Sequence, residues 1–190
     1  MNQGKLIILA APSGGGKSTV VKHLLSSFPE LSFSISAATR KPRGTEQHGV
    51  DYYFISVDEF RDRVEQNEFV EWEMVYEGKY YGTLKQEVER IWQNKQHVVF
   101  DVDVQGALNI KGQYKEKALA VFIAPPSIEV LEQRLRKRNT DSEEMIIERV
   151  KKAALEITFA EQFDVIIVND KLEDTLNNIT TTIRNFISAE

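Results

Sequence analysis

Cysteine is absent from the 190 residues, so neither a disulfide framework nor a thiolate metal site can form. Histidine occurs only three times, at scattered positions, which leaves no His-based metal cluster. The N-terminal apolar run, Leu6 to Ala11, stops at Pro12 and Ser13. It is too short for a signal h-region or a membrane span, so a cytoplasmic protein without membrane contact is expected. Positive charge is in deficit: 24 Lys plus Arg face 29 Asp plus Glu, a net charge of −5. No global field therefore attracts nucleic acid or an anionic membrane, and any anionic ligand must be held by local chemistry. Internal repeats and low-complexity stretches are also lacking. What remains, 42% apolar and 28% charged residues, is the composition of an ordinary globular domain with one core.

Four short continuous apolar runs punctuate the chain: Leu6 to Ala11, His97 to Val102, Ala118 to Ala124 and Val165 to Val168. Continuous rather than alternating runs suit strands buried on both faces of a parallel sheet. Helix-period segments accompany them. Ser18 to Phe28 puts Val20, Val21, Leu24, Leu25 and Phe28 on one face, and the C-terminal segment does the same with Leu172, Leu176, Ile179, Ile183 and Phe186. Capping-box pairs at Ser56 with Glu59, Thr83 with Gln86, and Thr140 with Glu143 mark three further helix starts. Strands alternating with helices predict a doubly wound α/β architecture. Two stretches break the rhythm. Residues 34–83 read as a small inserted lobe of short strands, among them Tyr52 to Ile55 and Phe69 to Tyr76, with one helix near Val57 to Asn67. Residues 125–153 read as two helices joined by a polar link, suited to a lid. The core is then expected in residues 1–33, 84–124 and 154–190.

The first apolar run leads into Ala11, Pro12, Ser13, Gly14, Gly15, Gly16, Lys17, Ser18 and Thr19, followed at once by an amphipathic helix. Strand, Gly-rich loop and helix is the context a P-loop requires. Its glycines turn backbone N–H groups toward phosphate oxygens, the helix N-terminus adds partial positive charge, Lys17 reaches the β and γ phosphates, and Ser18 offers a hydroxyl to Mg²⁺. Ala11 stands where the strict pattern has Gly, which is compatible if its φ stays negative.

The second buried run ends in V-F-D-V-D-V-Q-G. Asp101 or Asp103, at the carboxyl end of a strand beside the loop, would hold Mg²⁺ or its water shell, or cap the following helix. In the small lobe, Arg40 and Arg43 bracket Pro42, and with the Tyr52 hydroxyl they form either a clamp for one phosphate or a solvated basic turn. Glu71, in E-F-V-E-W, reads by itself as a solvated residue on an edge strand. Asn169 or Asp170 can cap the last helix. The basic segment holding Arg134, Arg136, Lys137 and Arg138 reads by itself as a solvated face.

Taken in order, A-P-S-G-G-G-K-S-T, S-x-x-T-R-x-P-R-x-x-E-x-x-G-x-D-Y, E-F-V-E-W, Y-Y-G-T, D-V-D-V-Q-G, I-A-P-P-S, R-L-R-K-R-N-T and V-N-D resemble the blocks of guanylate kinases from about Leu6 to Phe186. The resemblance implies transfer of the γ-phosphoryl of ATP to GMP, and to dGMP, with Mg²⁺. By matching positions, Arg40, Arg43, Tyr52 and Tyr81 correspond to the GMP phosphate clamp. Glu46 joins the GMP-binding set, and Ser36, Glu71, Thr83 and Asp103 fall on guanine-reading or site-organising positions; many relatives have Ser in place of Thr83. Lys17, Arg43 and the lid arginines Arg138 and Arg149 are the implied catalytic groups. Arg134 and Asn169 complete the ATP site, and Ser18 with Asp101 holds the metal, directly or through water. A guanylate-kinase-like peptide-binding module and a P-loop kinase with another acceptor are the competing readings; the intact Gly16, Lys17, Ser18, Arg138 and Arg149 argue against the first.

Overall fold

The computed structural model describes residues 4–138 and 141–189, apart from the side chains of Tyr76 and Arg138. In chain order the elements are β1 (Leu6–Ala10), α1 (Lys17–Ser27), β2 (Leu31–Phe33), β3 (Ala37–Ala38), β4 (Tyr53–Phe54), α2 (Val57–Glu65) and β5 (Phe69–Tyr76). There follow β6 (Lys79–Leu84), α3 (Lys85–Gln93), β7 (His97–Asp101), α4 (Val104–Tyr114), β8 (Ala118–Ala124), α5 (Ile128–Arg138), α6 (Glu143–Ile157), β9 (Val165–Val168) and α7 (Leu172–Ser188). Two compact units emerge. One comprises Met1–Gly4 and Glu30–Val98, the other Lys5–Pro29 and Val99–Glu190.

The second unit is built on β1, β8, β9 and residues 99–101 of β7, in the order β7-β1-β8-β9. β8 pairs parallel with β1, in the register Leu6 to Ala118 through Ala10 to Phe122, and with β9. All five residues of β1 are fully buried, which is why this segment is apolar throughout: both faces are covered. Leu6, Ile7, Ile8 and Leu9 each contribute roughly 1.5–3 kcal/mol on burial. All four apolar runs fold as strands, but only β1, β7 and β8 are covered as expected; β9 leaves Ile166 45% and Val168 54% exposed and buries Ile167. α1 sends Val20, Val21 and Leu24 inward, and α7 does so with Ile179 and Ile183. α5 and α6 pack on one another through Leu131, Leu135 and Ala153, flanked by Ile128 and Val150. Among the described residues no helix is long and apolar enough to cross a membrane.

The first unit carries a four-stranded sheet ordered β4-β3-β6-β5. β6 runs antiparallel to both β3 and β5, and β4 runs parallel to β3. Its core gathers Ala37, Phe60, Phe69 and Leu84, with the Phe60 and Phe69 rings stacked at 4.4 Å. Gly82 is required at the β5–β6 pair, since a Cβ there would lie 2.7 Å from the Phe69 ring and 2.9 Å from the Glu71 carbonyl oxygen.

The capping expectations divide. Ser56 does cap α2, accepting from Glu59 N at 3.0 Å. Thr83 does not cap a helix: it lies in β6, and α3 starts after Leu84 with no side-chain cap. The T-x-x-Q pattern was satisfied, but cross-strand pairing with Glu71 claimed the hydroxyl. Thr140 lies outside the described residues; α6 is capped by Ser142, whose hydroxyl accepts from Met145 N at 3.4 Å.

Candidate active site

Between β1 and α1 the chain turns tightly, with Gly15 N donating to Pro12 O at 2.8 Å. Gly14 and Gly16 have φ of 93° and 96°, left-handed values that favour glycine. Ala11 is not among the positive-φ residues, so its Cβ is tolerated at the position where the strict motif has glycine. Gly16 is further constrained because an added Cβ would meet Asn169 Nδ2 at 2.2 Å. That amide donates to Gly15 O at 2.8 Å, and Asn169 Oδ1 accepts from Thr175 Oγ1 at 3.1 Å. Asn169, 7% exposed, thus buttresses the loop from behind. The expectation that Asn169 or Asp170 caps the last helix is not met: Lys171 holds the N-cap position of α7, without a side-chain bond.

Lys17 opens α1 with its ammonium 2.6 Å from Asp101 Oδ1 at the end of β7, and it also donates to Val102 O at 2.5 Å. Asp101 is therefore an ion-pair partner of the loop lysine. Asp103 caps α4, accepting from Gly106 N at 2.8 Å. Glu156 of α6 was not anticipated from the sequence. Burial pushes its carboxyl up, Asp103 adds to the rise, and Lys152 and Lys17 oppose it. Its place in an ordinary amphipathic helix gave no signal, because only tertiary packing brings it into the field of Lys17. Ser18 and Thr19 are exposed at the start of α1.

The α5–α6 pair contributes two arginines. Arg134 Nη2 donates to Asn169 O at 2.8 Å, and both line a cleft of about 350 Å³ with Gly14, Gly16, Lys137 and Leu172. Arg149 Nη1 donates to Ser13 Oγ at 3.1 Å, while Nη2 stands 3.3 Å from Asp141 Oδ1. Arg136 keeps to the solvated reading, paired with Glu132 and Glu143. The side chain of Arg138 lies outside the described residues.

Within the first unit, Arg40 is the organising cation. It holds Glu46 through two bonds, Nη1 to Oε2 at 2.5 Å and Nη2 to Oε1 at 2.8 Å, and donates from Nε to Tyr81 OH at 3.1 Å. Its guanidinium lies 4.8 Å from the centre of the Tyr52 ring. Glu46 also accepts from Arg43 N at 2.8 Å, and the Arg40 guanidinium draws its carboxyl down to about 2. Arg40, Glu46, Tyr52 and Tyr81 are thus brought together, while the Arg43 side chain is exposed at the edge of the turn. On the same sheet Thr83 Oγ1 donates to Glu71 Oε1 at 2.6 Å, in a directly opposed β5–β6 pair. Thr83 is fully buried and Glu71 is 8% exposed; the solvated-edge alternative for Glu71 is overturned. Ser36 is half-buried, and its carbonyl accepts from Tyr53 N at 2.9 Å.

A buried strand, a Gly-rich turn with two left-handed glycines and a lysine opening the next helix define the class: an α/β protein of the P-loop, nucleoside triphosphate-binding kind. The guanylate kinase family model matches residues 3–186. A guanylate kinase of Porphyromonas gingivalis is 57% identical over 97% of this chain and 98% of the relative. One of Bacteroides thetaiotaomicron is 54% identical over 98% and 92%. The crystal structure of guanylate kinase from Anaplasma phagocytophilum superposes with a TM-score of 0.79 at 30% identity, covering 100% of this chain and 89% of that one. The chain belongs to the guanylate kinase family, whose members are ATP-dependent nucleoside monophosphate kinases.

Proposed function

We propose that the chain catalyses its family's reaction, ATP plus GMP giving ADP plus GDP, with the residues described above in the following roles. A phosphate oxygen of GMP attacks the γ-phosphorus of ATP, the new P–O bond forms as the bridging bond to ADP breaks, and no protein nucleophile is needed. The loop amides at Gly14 to Ser18 and the N-terminus of α1 hold the β and γ phosphates. Lys17 leaves Asp101 for those phosphates, an exchange of one anionic partner for another. Arg134 and Asn169 line the cleft that takes the adenine end. Arg138 and Arg149 neutralise the transferring group as the lid formed by residues 125–153 closes and excludes water.

The acceptor belongs to the lobe, residues 34–83. Arg40, Arg43, Tyr52 and Tyr81 grip the GMP phosphate, with Glu46 holding Arg40 ready. The observation that carries the choice of guanine is the buried Glu71–Thr83 pair: a carboxylate with one oxygen engaged by Thr83 can accept from N1–H and the amino group of guanine. Adenine has no N1–H to offer. Ser36 and Asp103 complete the GMP set, and dGMP, with the same base and phosphate, is accepted too.

The donor set fits Mg²⁺ rather than a caged metal. Among the described residues no group of three His, Cys, Asp or Glu is close enough to hold an ion, whereas the Ser18 hydroxyl and Asp101 carboxylate are hard oxygen donors of the kind Mg²⁺ takes alongside phosphate oxygens and water. When bound, the ion neutralises charge on the β and γ phosphates. The protein is assigned to the cytoplasm. A coupled assay of ADP release with GMP, dGMP, AMP, CMP and UMP as acceptors tests the reading: turnover confined to the guanine nucleotides is expected, and equal or better turnover with another acceptor overturns it.

A further inference from the structure

We propose that Asp141 is a positioning residue for Arg149, fixing the plane of its guanidinium against the phosphate loop. The inference rests on the reading of Arg149 as a group that meets the transferring phosphoryl. The Asp141 side chain is only 6% exposed. Oδ1 faces Arg149 Nη2 at 3.3 Å, while Oδ2 is buried with no hydrogen-bond partner among the described residues. A buried carboxylate oxygen without a donor opposes folding, so stability alone favours a neutral residue here, and the charge requires another reason.

That reason lies at the far side of the guanidinium. Arg149 Nη1 donates to Ser13 Oγ in the loop between β1 and α1, so one planar group is held at one terminal nitrogen by Asp141 and at the other by the phosphate loop. Tethering both terminal nitrogens of a rigid fork fixes its plane as well as its reach. The helix supplies the framework. Asp141 immediately precedes Ser142, which caps α6, and Arg149 follows two turns along the same helix. Side chains on a helix lean toward its N-terminus, so Arg149 is disposed to reach back to Asp141. Among the described residues Asp141 is the carboxylate paired with Arg149, while Glu132 and Glu143 pair with Arg136. An arginine ordered before substrate arrives loses less side-chain freedom when it meets the transferring group.

The test compares Asp141→Asn, Asp141→Ala, Arg149→Ala and the double variant Asp141→Asn/Arg149→Ala in the full chain, reading kcat, KM for GMP and ATP, and Tm. Both Asp141 variants are expected to lower kcat by about tenfold, within the roughly 10²-fold that a misplacement of about 1 Å can cost. The KM for GMP should stay within about twofold and the Tm should be equal or higher. In the Arg149→Ala background, Asp141→Asn should cost nothing more. An unchanged kcat in both Asp141 variants, a lowered Tm in both, or losses that multiply in the double variant would each overturn the positioning role while leaving that of Arg149 intact. Undiminished turnover in Arg149→Ala overturns both.

Discussion

Glu71→Gln replaces one oxygen by an amide and removes one charge at a residue that is 8% exposed. The substitution is nearly isosteric, so backbone and packing are preserved and the effect is one of hydrogen-bond polarity. Thr83 Oγ1 donates to Oε1 at 2.6 Å from a fully buried position. With Thr83 still donating, the glutamine carbonyl faces Thr83 and its NH₂ is aimed at the donors of the guanine edge; with Thr83 turned to accept, the one carbonyl left for guanine is uncharged. Either way a charge-assisted bond to guanine is lost, and in the first arrangement two donors face one another. Losing such a bond and leaving a polar group unpaired costs about 1–3 kcal/mol, or roughly fivefold to 150-fold in GMP affinity at about 1.4 kcal/mol per decade. The measurement is kcat/KM for GMP and for AMP in an ADP-coupled assay, with Tm as a control; the KM for GMP rises, selectivity over AMP falls by a similar factor, and Tm does not drop. Adding Thr83→Val frees the amide to turn around, so the double variant loses less than the product of the two single losses. Selectivity within twofold of the parent, with Tm unchanged, refutes the guanine-reading role of Glu71.

Gly16→Ala places a methyl group 2.2 Å from Asn169 Nδ2 at a φ of 96°, and should cost about 1–3 kcal/mol, at roughly 2–4 °C of Tm per kcal/mol for a chain of this size. The stabilisation by ATP seen in thermal-shift measurements should vanish with it; retained ATP stabilisation would contradict the buttressing of the loop by Asn169. For Glu46, the pKa of about 2 lies below the usual carboxylate value because of Arg40, so its contribution is present above about pH 4.5 and is lost as pH falls toward about 2. Glu46→Gln should therefore lower Tm at neutral pH, with the gap from the parent closing in acid; a constant gap would deny the pairing. Glu156 has the opposite sign. Burial raises its carboxyl, so the ionised form opposes folding above the raised value and the penalty fades as pH falls through the carboxylate range. Glu156→Gln is expected to raise Tm at pH 7 and to leave it unchanged at pH 4, and a lowered Tm at pH 7 would mean that Lys17 and Lys152 outweigh burial.

The parts of this protein legible in the sequence are those set by neighbours along the chain. β1 was readable because a strand covered on both faces has no position that tolerates a polar side chain, and the phosphate loop because its turn and charge lie within nine consecutive residues, Ala11 to Thr19. Ser56 capped α2 as expected, since cap and helix are contiguous. Thr83 departs from its expected capping role for the converse reason. Its T-x-x-Q pattern allows a cap, and only the β5–β6 register, which sets it opposite Glu71 in a buried pair, directs its hydroxyl elsewhere.

By itself, then, the sequence determined the α/β class, the four core strands, the triphosphate-binding loop and, through the order of its motifs, the family, though not that β9 leaves Ile166 and Val168 exposed. Tertiary structure decided the partners: Lys17 with Asp101, Asn169 behind Gly15 and Gly16, Arg40 with Tyr81, and Arg149 between Ser13 and Asp141. The physical reason is range. Strand burial, turn geometry and capping are decided over a few residues, whereas an ion pair or a buried hydrogen bond depends on which distant side chain shares its low-dielectric surroundings, and only the packed fold settles that.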